Sequence, residues 1–576
     1  MNYPRLTAAL ACCWALLATP VFGQWSADID QNMLVRDVID RTEANPRVAA
    51  IAAGGTYIAW WEADANRKFW LHLQRLNAQG RPQWGKEGVT ISPAPAGNFT
   101  TNYDLQTDAA GNALLVYPAA AVHTSTSHLL VQKINPAGDL LWGPAGASLF
   151  DTAPATGGTN PHLAITPAQE VVVAWMTYVP TADPTGSYIC LQKLSTDGKP
   201  QWAEPTRLKA PSLGNLLPSH LLAAGPDEGV LITYRRFVKG PNSYLIYMQR
   251  IAANGALEWA APTQITTAGD GILGGRPLAV SDGDGGAFVA VQAAGGPDKL
   301  RLGVYVQHVT KTGARWNTTG VAAAPGVAST LQTQFAKIQY NATQQAVWVA
   351  YEVFDPYAPS QALALQKLQA ADGTRLLGEA GFTLIPQQTV KPNLLGFNDT
   401  GHDLVLALHM QRFVGEAGAM AALRLTYEGQ ARWADSPRLL TTDATIKSSA
   451  VTTLLADESL AMVWEDYRQG MGVYAQNILA DGTLGNTVTA ATALAARGRL
   501  ELFPNPAAAP ALHWPQAGRQ PVVIRVVDAV GRTMKQETLS ATATSWVLWA
   551  PELPAGTYIV HATIAGQPHT VRWLKN

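Results

Sequence analysis

The chain has 576 residues, and it is short of cysteine, of charge and of long apolar runs. Two of its 3 cysteines, Cys12 and Cys13, lie near the start, which leaves Cys190 alone further on. One cysteine forms no internal disulfide, so stability has to come from packing. Charged residues make up 14%, against roughly 25% in an average globular chain. The 41 basic and 42 acidic side chains leave a net charge of −1. That excludes the basic footprint of a nucleic-acid binder. It also leaves no polybasic segment for anionic lipid. No apolar stretch reaches the roughly 20 residues of a membrane-spanning helix. There is no His-Glu-x-x-His, no Gly-x-Ser-x-Gly and no P-loop. Metal marks are equally thin. His162 and His220 bring two imidazoles without a marked third ligand, and the Asp282/Asp284 turn lacks the spaced oxygens of a calcium loop. No cofactor and no metal are expected.

What is present is apolar residues at 47%, with Gly 50, Pro 37 and Trp 18. Such a chain is not disordered. It has many turns and many aromatic packing sites. Residues 1–23 read as a secretory signal, with Arg5 followed by the apolar run Leu6 to Leu17 and a cleavage site before Gln24.

From 24 to 490 one pattern recurs: a glutamine, a basic or polar residue, an aliphatic residue, a glycine turn and a tryptophan. Gln132-Lys133-Ile134 leading to Gly138 and Trp142 is one copy, and Gln192-Lys193-Leu194 leading to Gly198 and Trp202 is the next. The turn glycines are Gly80, Gly138, Gly198, Gly255, Gly313, Gly373, Gly429 and Gly482, about 57 residues apart. The copies at Gly373 and Gly482 lack the tryptophan, and the copy at Gly429 opens on Leu423 instead of glutamine. Eight near-constant units decide the architecture before any local reading. Each unit reads as four strands, as in His162 to Thr166, Glu170 to Trp175, Tyr188 to Leu194 and Trp202 to Leu208. Four-stranded units repeated around an axis make a β-propeller. The last unit lacks its fourth strand, whereas Gln24-Trp25-Ser26 and Met33-Leu34-Val35 resemble Gln83-Trp84-Gly85 and Val89-Thr90-Ile91. The N-terminal segment is therefore expected to supply the outer strand of the last blade and to place Trp25 there. The fold class expected is all-β, an eight-bladed propeller plus a small C-terminal β-sandwich, with 491–499 as linker and 500–576 as the final domain.

The repeated tryptophans, and Trp60, Trp175, Trp464, Tyr117, Tyr234 and Tyr351 at the ends of second strands, read as core. The repeated glutamine reads as a partner for backbone groups. Acidic turns such as Asp108 to Gly111 and Asp282 to Gly285 read as backbone-favoured tight turns. The start of each innermost strand holds Arg47, Asp104, His162, His220, Arg276, Gln334, Asn393 and Ser449. Together they are expected to ring one mouth of the central channel, a common place for ligands.

The final domain carries four motifs in order: Leu502-Phe503-Pro504-Asn505-Pro506, Asp528 to Arg532 with its Gly531-Arg532 turn, Leu553 to Tyr558 and the basic end Arg572 to Lys575. This order resembles the type A C-terminal sorting domain of the type IX secretion system. Phe503, in place of the commoner tyrosine, is the departure from that pattern. The resemblance covers about the last 75 residues. It implies the secretion machinery as a partner, export across the outer membrane, and release or attachment at the outer cell surface. The repeats resemble secreted bacterial propellers with a Trp-x-Asp, Tyr-x-Gln, Gly, Trp pattern, best at Trp464-Glu465-Asp466 and Tyr474-Ala475-Gln476. That likeness implies architecture and no activity. The function expected is a monomeric binding protein, secreted or at the cell surface, with a glycan or a protein as ligand. The alternatives are an extracellular polysaccharide hydrolase or lyase on the same scaffold, and a passive surface component.

Overall fold

The computed structural model describes residues 25–38, 41–96, 102–120, 127–149, 158–178, 187–209, 215–238, 243–265, 276–295, 301–442, 444–468, 470–485, 501–503, 509–513, 521–528, 532–540, 545–564 and 567–575. The signal segment 1–23, the linker 491–499 and residues 504–506 of the first C-terminal motif lie outside them, as do 529–531 of the second. Two compact units divide the chain, Met1–Asn486 and Thr487–Asn576. Among the described residues no helix is long and apolar enough to cross a membrane.

The first unit is all-β, built from repeated four-stranded antiparallel sheets as in a β-propeller, and eight such sheets are present among the described residues. The first sheet runs Glu43–Ala50, Thr56–Ala63, Phe69–Leu76 and Val89–Thr90 from inner to outer strand. The inner strands pack on one another in sequence order, and the last, Lys447–Leu454, packs on the first, Glu43–Ala50. Middle strands such as Thr56–Ala63 and Ala419–Thr426 are buried at every position, because a neighbouring sheet covers each face. That explains their near-continuous apolar sequence. Trp60, Trp175, Trp464, Tyr117 and Tyr351 are fully buried, and Tyr234 nearly so. Cys190 is buried too, and desolvation pushes its thiol up to about 11.

The recurring residues form one joint between consecutive sheets. Gln132 Nε2 donates to the Gly143 carbonyl at 2.7 Å, and its Oε1 accepts from Trp142 N at 3.3 Å. Gln74 and Gln307 make the same pair of bonds, and Gln192 accepts from Trp202 N while donating to the Trp202 carbonyl. The turn is thereby clamped, and the tryptophan is aimed at the next sheet. Trp84, Trp142, Trp202, Trp259, Trp316 and Trp433 each donate Nε1 to a carbonyl in the following sheet's turn. The turn glycine gives the ring its seat. Gly198 has φ +81°, and a Cβ there would stand 2.8 Å from the Trp142 ring. Phe382 covers Gly429 in the same way, so it replaces the tryptophan missing after Gly373.

The acidic turns have a second role beyond backbone geometry. Each carboxylate reaches the basic residue that follows the repeat glutamine: Asp108 to Lys133 at 2.9 Å, Glu170 to Lys193 at 2.7 Å, Asp227 to Arg250 at 2.5 Å and Asp282 to His308 at 2.9 Å. Asp403 and Arg424 repeat it at 2.9 Å. The pairs to lysine and arginine neutralise cations that would otherwise be desolvated between sheets.

The last sheet is completed from the front of the chain. Met33–Arg36 pairs antiparallel with Gly472–Ile478, with Met33 opposite Ala475 and Leu34 opposite Tyr474. Trp25, 2% exposed, packs with Met33, Val35, Val463 and Val473 on one side and Ile58, Trp60 and Leu76 on the other. A Cβ on Gly80 would stand 2.7 Å from its ring, the same seat that Gly198 gives Trp142. The Trp25 joint thus links the last sheet to the first.

The second unit holds a three-stranded sheet of Glu501–Phe503, Ala511–His513 and Ser545–Val547. It also holds a four-stranded sheet in the order Thr533–Leu539, Val522–Val527, Gly556–Ile564, Gln567–Lys575. Leu512 and Leu548 share a core with Ile524, Tyr558, Val560 and Trp573. Tyr558 donates to the Pro554 carbonyl at 2.8 Å and Lys575 Nζ to the Leu553 carbonyl at 2.6 Å. The last two C-terminal motifs therefore meet in one place.

Candidate ligand site at the inner strands

Six inner strands carry a one-residue bulge at the same level, between Ala44 and Arg47, Thr159 and His162, Pro218 and His220, Gln334 and Lys337, Leu394 and Gly396, and Ser448 and Val451. Bulges re-aim side chains and gather near functional sites. Asn45, Asn160, Phe335 and Ser449 sit in these bulges with φ between +47° and +56°. Asparagine and serine accept that conformation with hydrogen-bonding side chains. Phe335 does not, and it is 55% exposed.

The bulge separates the eight expected residues into two levels. Arg47, Asp104, His162 and His220 share one register. Their partners Ala59, Val116, Ala174 and Thr233 each directly precede the recurrent aromatic Trp60, Tyr117, Trp175 or Tyr234. The same register holds Leu278, Lys337, Gly396 and Val451 in the other four sheets. Gln334 and Asn393 lie before the bulge, opposite Glu352 and His409. Ser449 lies within it, and Arg276 precedes the strand Leu278–Ser281. Gln334 stands three residues before Lys337, on the far side of the bulge, so the sequence reading passes over Lys337.

The first four sheets bring their residues into electrostatic contact. Arg47 acts on Asp104 and on His162, and Arg276 also acts on His162. The Arg47 guanidinium lies 5.2 Å over the Tyr103 ring and donates to Asn45 Oδ1 at 2.8 Å. Burial pushes the Asp104 carboxyl up to about 6, although it accepts from Leu163 N at 3.0 Å and Leu105 N at 2.9 Å. Burial, with His220, Arg276 and Arg47 nearby, pushes His162 down to about 3. Burial takes His220 down to about 4, and its Nδ1 accepts from Ala279 N at 3.1 Å. Both imidazoles are therefore neutral at neutral pH and act as hydrogen-bonding groups. Burial lowers Lys337 and raises Glu352 to about 7, each partly offset by the other's charge.

His220→Gln tests this reading, since glutamine keeps an acceptor for the Ala279 N–H and takes up no proton. The folded imidazole stays neutral down to about 4, whereas the unfolded one protonates below about 6.5. Between those values the unfolded chain binds more protons, so the native protein loses stability as pH falls. The Tm of the variant relative to the natural chain is expected to rise as pH drops through that window. Parallel Tm curves in calorimetry would refute it.

Two further clefts lie away from the inner strands. In one, of about 580 Å³, Glu62 is held by Arg36 at 2.8 Å and Arg41 at 2.7 Å. In the other, of about 530 Å³, His308 stacks on Phe288 at 4.3 Å and binds Asp282. No group of three His, Cys, Asp or Glu among the described residues is placed to hold a metal.

No family model matches the chain, and no curated protein matches it. Solved structures are similar to it at low sequence identity. A protein of unknown function from Dyadobacter fermentans is 13% identical, with a TM-score of 0.33, covering 56% of this chain and 93% of its own. An ulvan lyase, a polysaccharide lyase, is 11% identical with a TM-score of 0.38, covering 70% and 93%. The β-propeller domain of the trilobed protease of Pyrococcus furiosus is 10% identical with a TM-score of 0.36, covering 70% and 99%. Identity at this level concerns the fold alone.

Proposed function

We propose that the eight sheets are the blades of one propeller closed by the N-terminal strand, and that it is a binding protein for an extracellular glycan or protein. The observation that carries this reading is the shared register of Arg47, Asp104, His162 and His220 on four consecutive inner strands. Charged groups and neutral imidazoles at one level suit recognition of a polar ligand. The C-terminal unit is a β-sandwich that sends the protein through the type IX secretion system to the outer surface. Its four ordered motifs support that role.

A glycan array with a matched panel of polysaccharide substrates tests the binding. Saturable binding without product, weakened about tenfold or more by Arg47→Ala with His162→Ala, is expected. Turnover of any bound polysaccharide would replace this reading with that of a lyase or hydrolase. Deleting residues 500–576 should trap the protein in the periplasm, and continued surface display would overturn the export reading.

A further inference from the structure

In the sixth and eighth sheets, the residue after the recurrent middle-strand aromatic is Glu352 or Glu465. Each carboxylate reaches the next sheet and accepts a backbone N–H two residues before that sheet's shared register position. Glu352 takes Leu394 N at 2.8 Å, and Glu465 takes Asn45 N at 2.6 Å. In the fourth sheet the same position, after Tyr234, is Arg235, opposite Leu217. A guanidinium accepts nothing. The place it faces in the fifth sheet, two residues before Leu278, is Arg276, just as Leu394 stands two residues before Gly396. The carboxylate is thus replaced by an arginine that faces a second arginine.

The consequence is unbalanced positive charge. Burial and Arg276 both press the Arg235 guanidinium below its usual range. Arg235 Nε is buried without a hydrogen-bond partner, and the guanidinium lies 5.0 Å over the Tyr244 ring. Among the described residues no carboxylate forms an ion pair with Arg235 or Arg276. Asp104, the acid in the shared register, lies on the second sheet and is engaged by the Leu105 and Leu163 N–H groups. Nearby His162 is neutral and adds no counter-charge.

We infer that Arg235 and Arg276 form a seat for an anionic group, the carboxylate or sulfate of an acidic glycan. This rests on the binding reading above. Two planar forks suit an oxyanion with several acceptor oxygens. The inner strands of the third, fourth and sixth sheets favour a sugar over an acidic peptide, since they carry the neutral imidazoles His162 and His220 and the 55% exposed Phe335, on which a sugar ring can stack.

The test uses the full chain with four probes: oligogalacturonate, its methyl ester, heparin oligosaccharide and its desulfated, carboxyl-reduced form, with polyglutamate as the peptide arm. Binding of an acidic glycan, weakened by added salt and absent for its neutralised partner, is expected. Arg235→Gln and Arg276→Gln should each weaken it on the order of tenfold. Neither variant should lower Tm, since each removes a like-charge contact. Equal binding of acidic and neutral forms, untouched by the arginine variants, would overturn the anion seat and leave glycan binding standing. Binding of polyglutamate alone would overturn the glycan assignment. Binding of none of the glycans tested here or on the array would overturn the reading beneath both.

Discussion

A chain that starts at residue 41, without Trp25 and the strand Met33–Arg36, is expected to unfold rather than to lose one edge. Trp25, Met33 and Val35 are 2%, 3% and 7% exposed and lie in the core shared by the last and first sheets. At about 1.5–3 kcal/mol for each large side chain, the burial of the three is worth about 5–9 kcal/mol. That is comparable with the whole stability of an ordinary domain, about 5–15 kcal/mol. The strand Gly472–Ile478 would also become an open edge, ready to pair with another chain. Calorimetry and size-exclusion chromatography should find a collapse of the cooperative transition, with aggregation. Trp25→Ala alone should cost about 3–5 kcal/mol. Gly80→Val should approach that cost, since its side chain would meet the Trp25 ring and would have to adopt φ +77°. A truncated chain that stays monomeric with an unchanged Tm would refute the closure.

This joint was legible because its parts are close in sequence. Gln132, Gly138 and Trp142 belong to one turn, so the repeat exposes them together. Trp25 was legible by likeness to Trp84. The repeat does not announce Phe382, which arrives nine residues after Gly373 where Trp316 arrives three after Gly313. The inner-strand level was half legible. Arg47, Asp104, His162 and His220 stand in one register, but Gln334, Asn393, Ser449 and Arg276 stand two or three residues before the matching positions Lys337, Gly396, Val451 and Leu278. The roles of Arg235, Glu352 and Glu465 were hidden for another reason. Each acts on an inner strand of the next sheet, at a backbone group or a residue far along the chain. Periodicity shows which positions correspond, and only the packed sheets show what each one faces.

Asp466→Ala is expected to destabilise the protein by about 3–5 kcal/mol, because it strands a buried cation. The Asp466 side chain is fully buried, and Lys447 Nζ lies 4.0 Å away on a side chain that is 1% exposed. Asp466 also accepts from Trp464 Nε1 at 3.0 Å, from Thr445 Oγ1 at 2.5 Å and from Arg468 Nε at 3.0 Å. Arg468 continues to Asn32 Oδ1, and Asn32 Nδ2 donates to the Leu440 carbonyl at 3.0 Å. The carboxylate therefore neutralises Lys447 and also anchors the segment that brings in Met33–Arg36. Asp466→Asn keeps an acceptor for Trp464 but loses the charge, so it should cost less than alanine. Lys447→Met with Asp466→Leu removes both charges and should recover much of the loss. Urea unfolding of the single and double variants gives the coupling directly. An Asp466→Ala cost below about 1 kcal/mol would mean that solvent, not Asp466, balances Lys447. A full cost with no recovery in the double variant would place the energy in the Trp464, Thr445 and Arg468 bonds, and so in the anchoring of the closing strand.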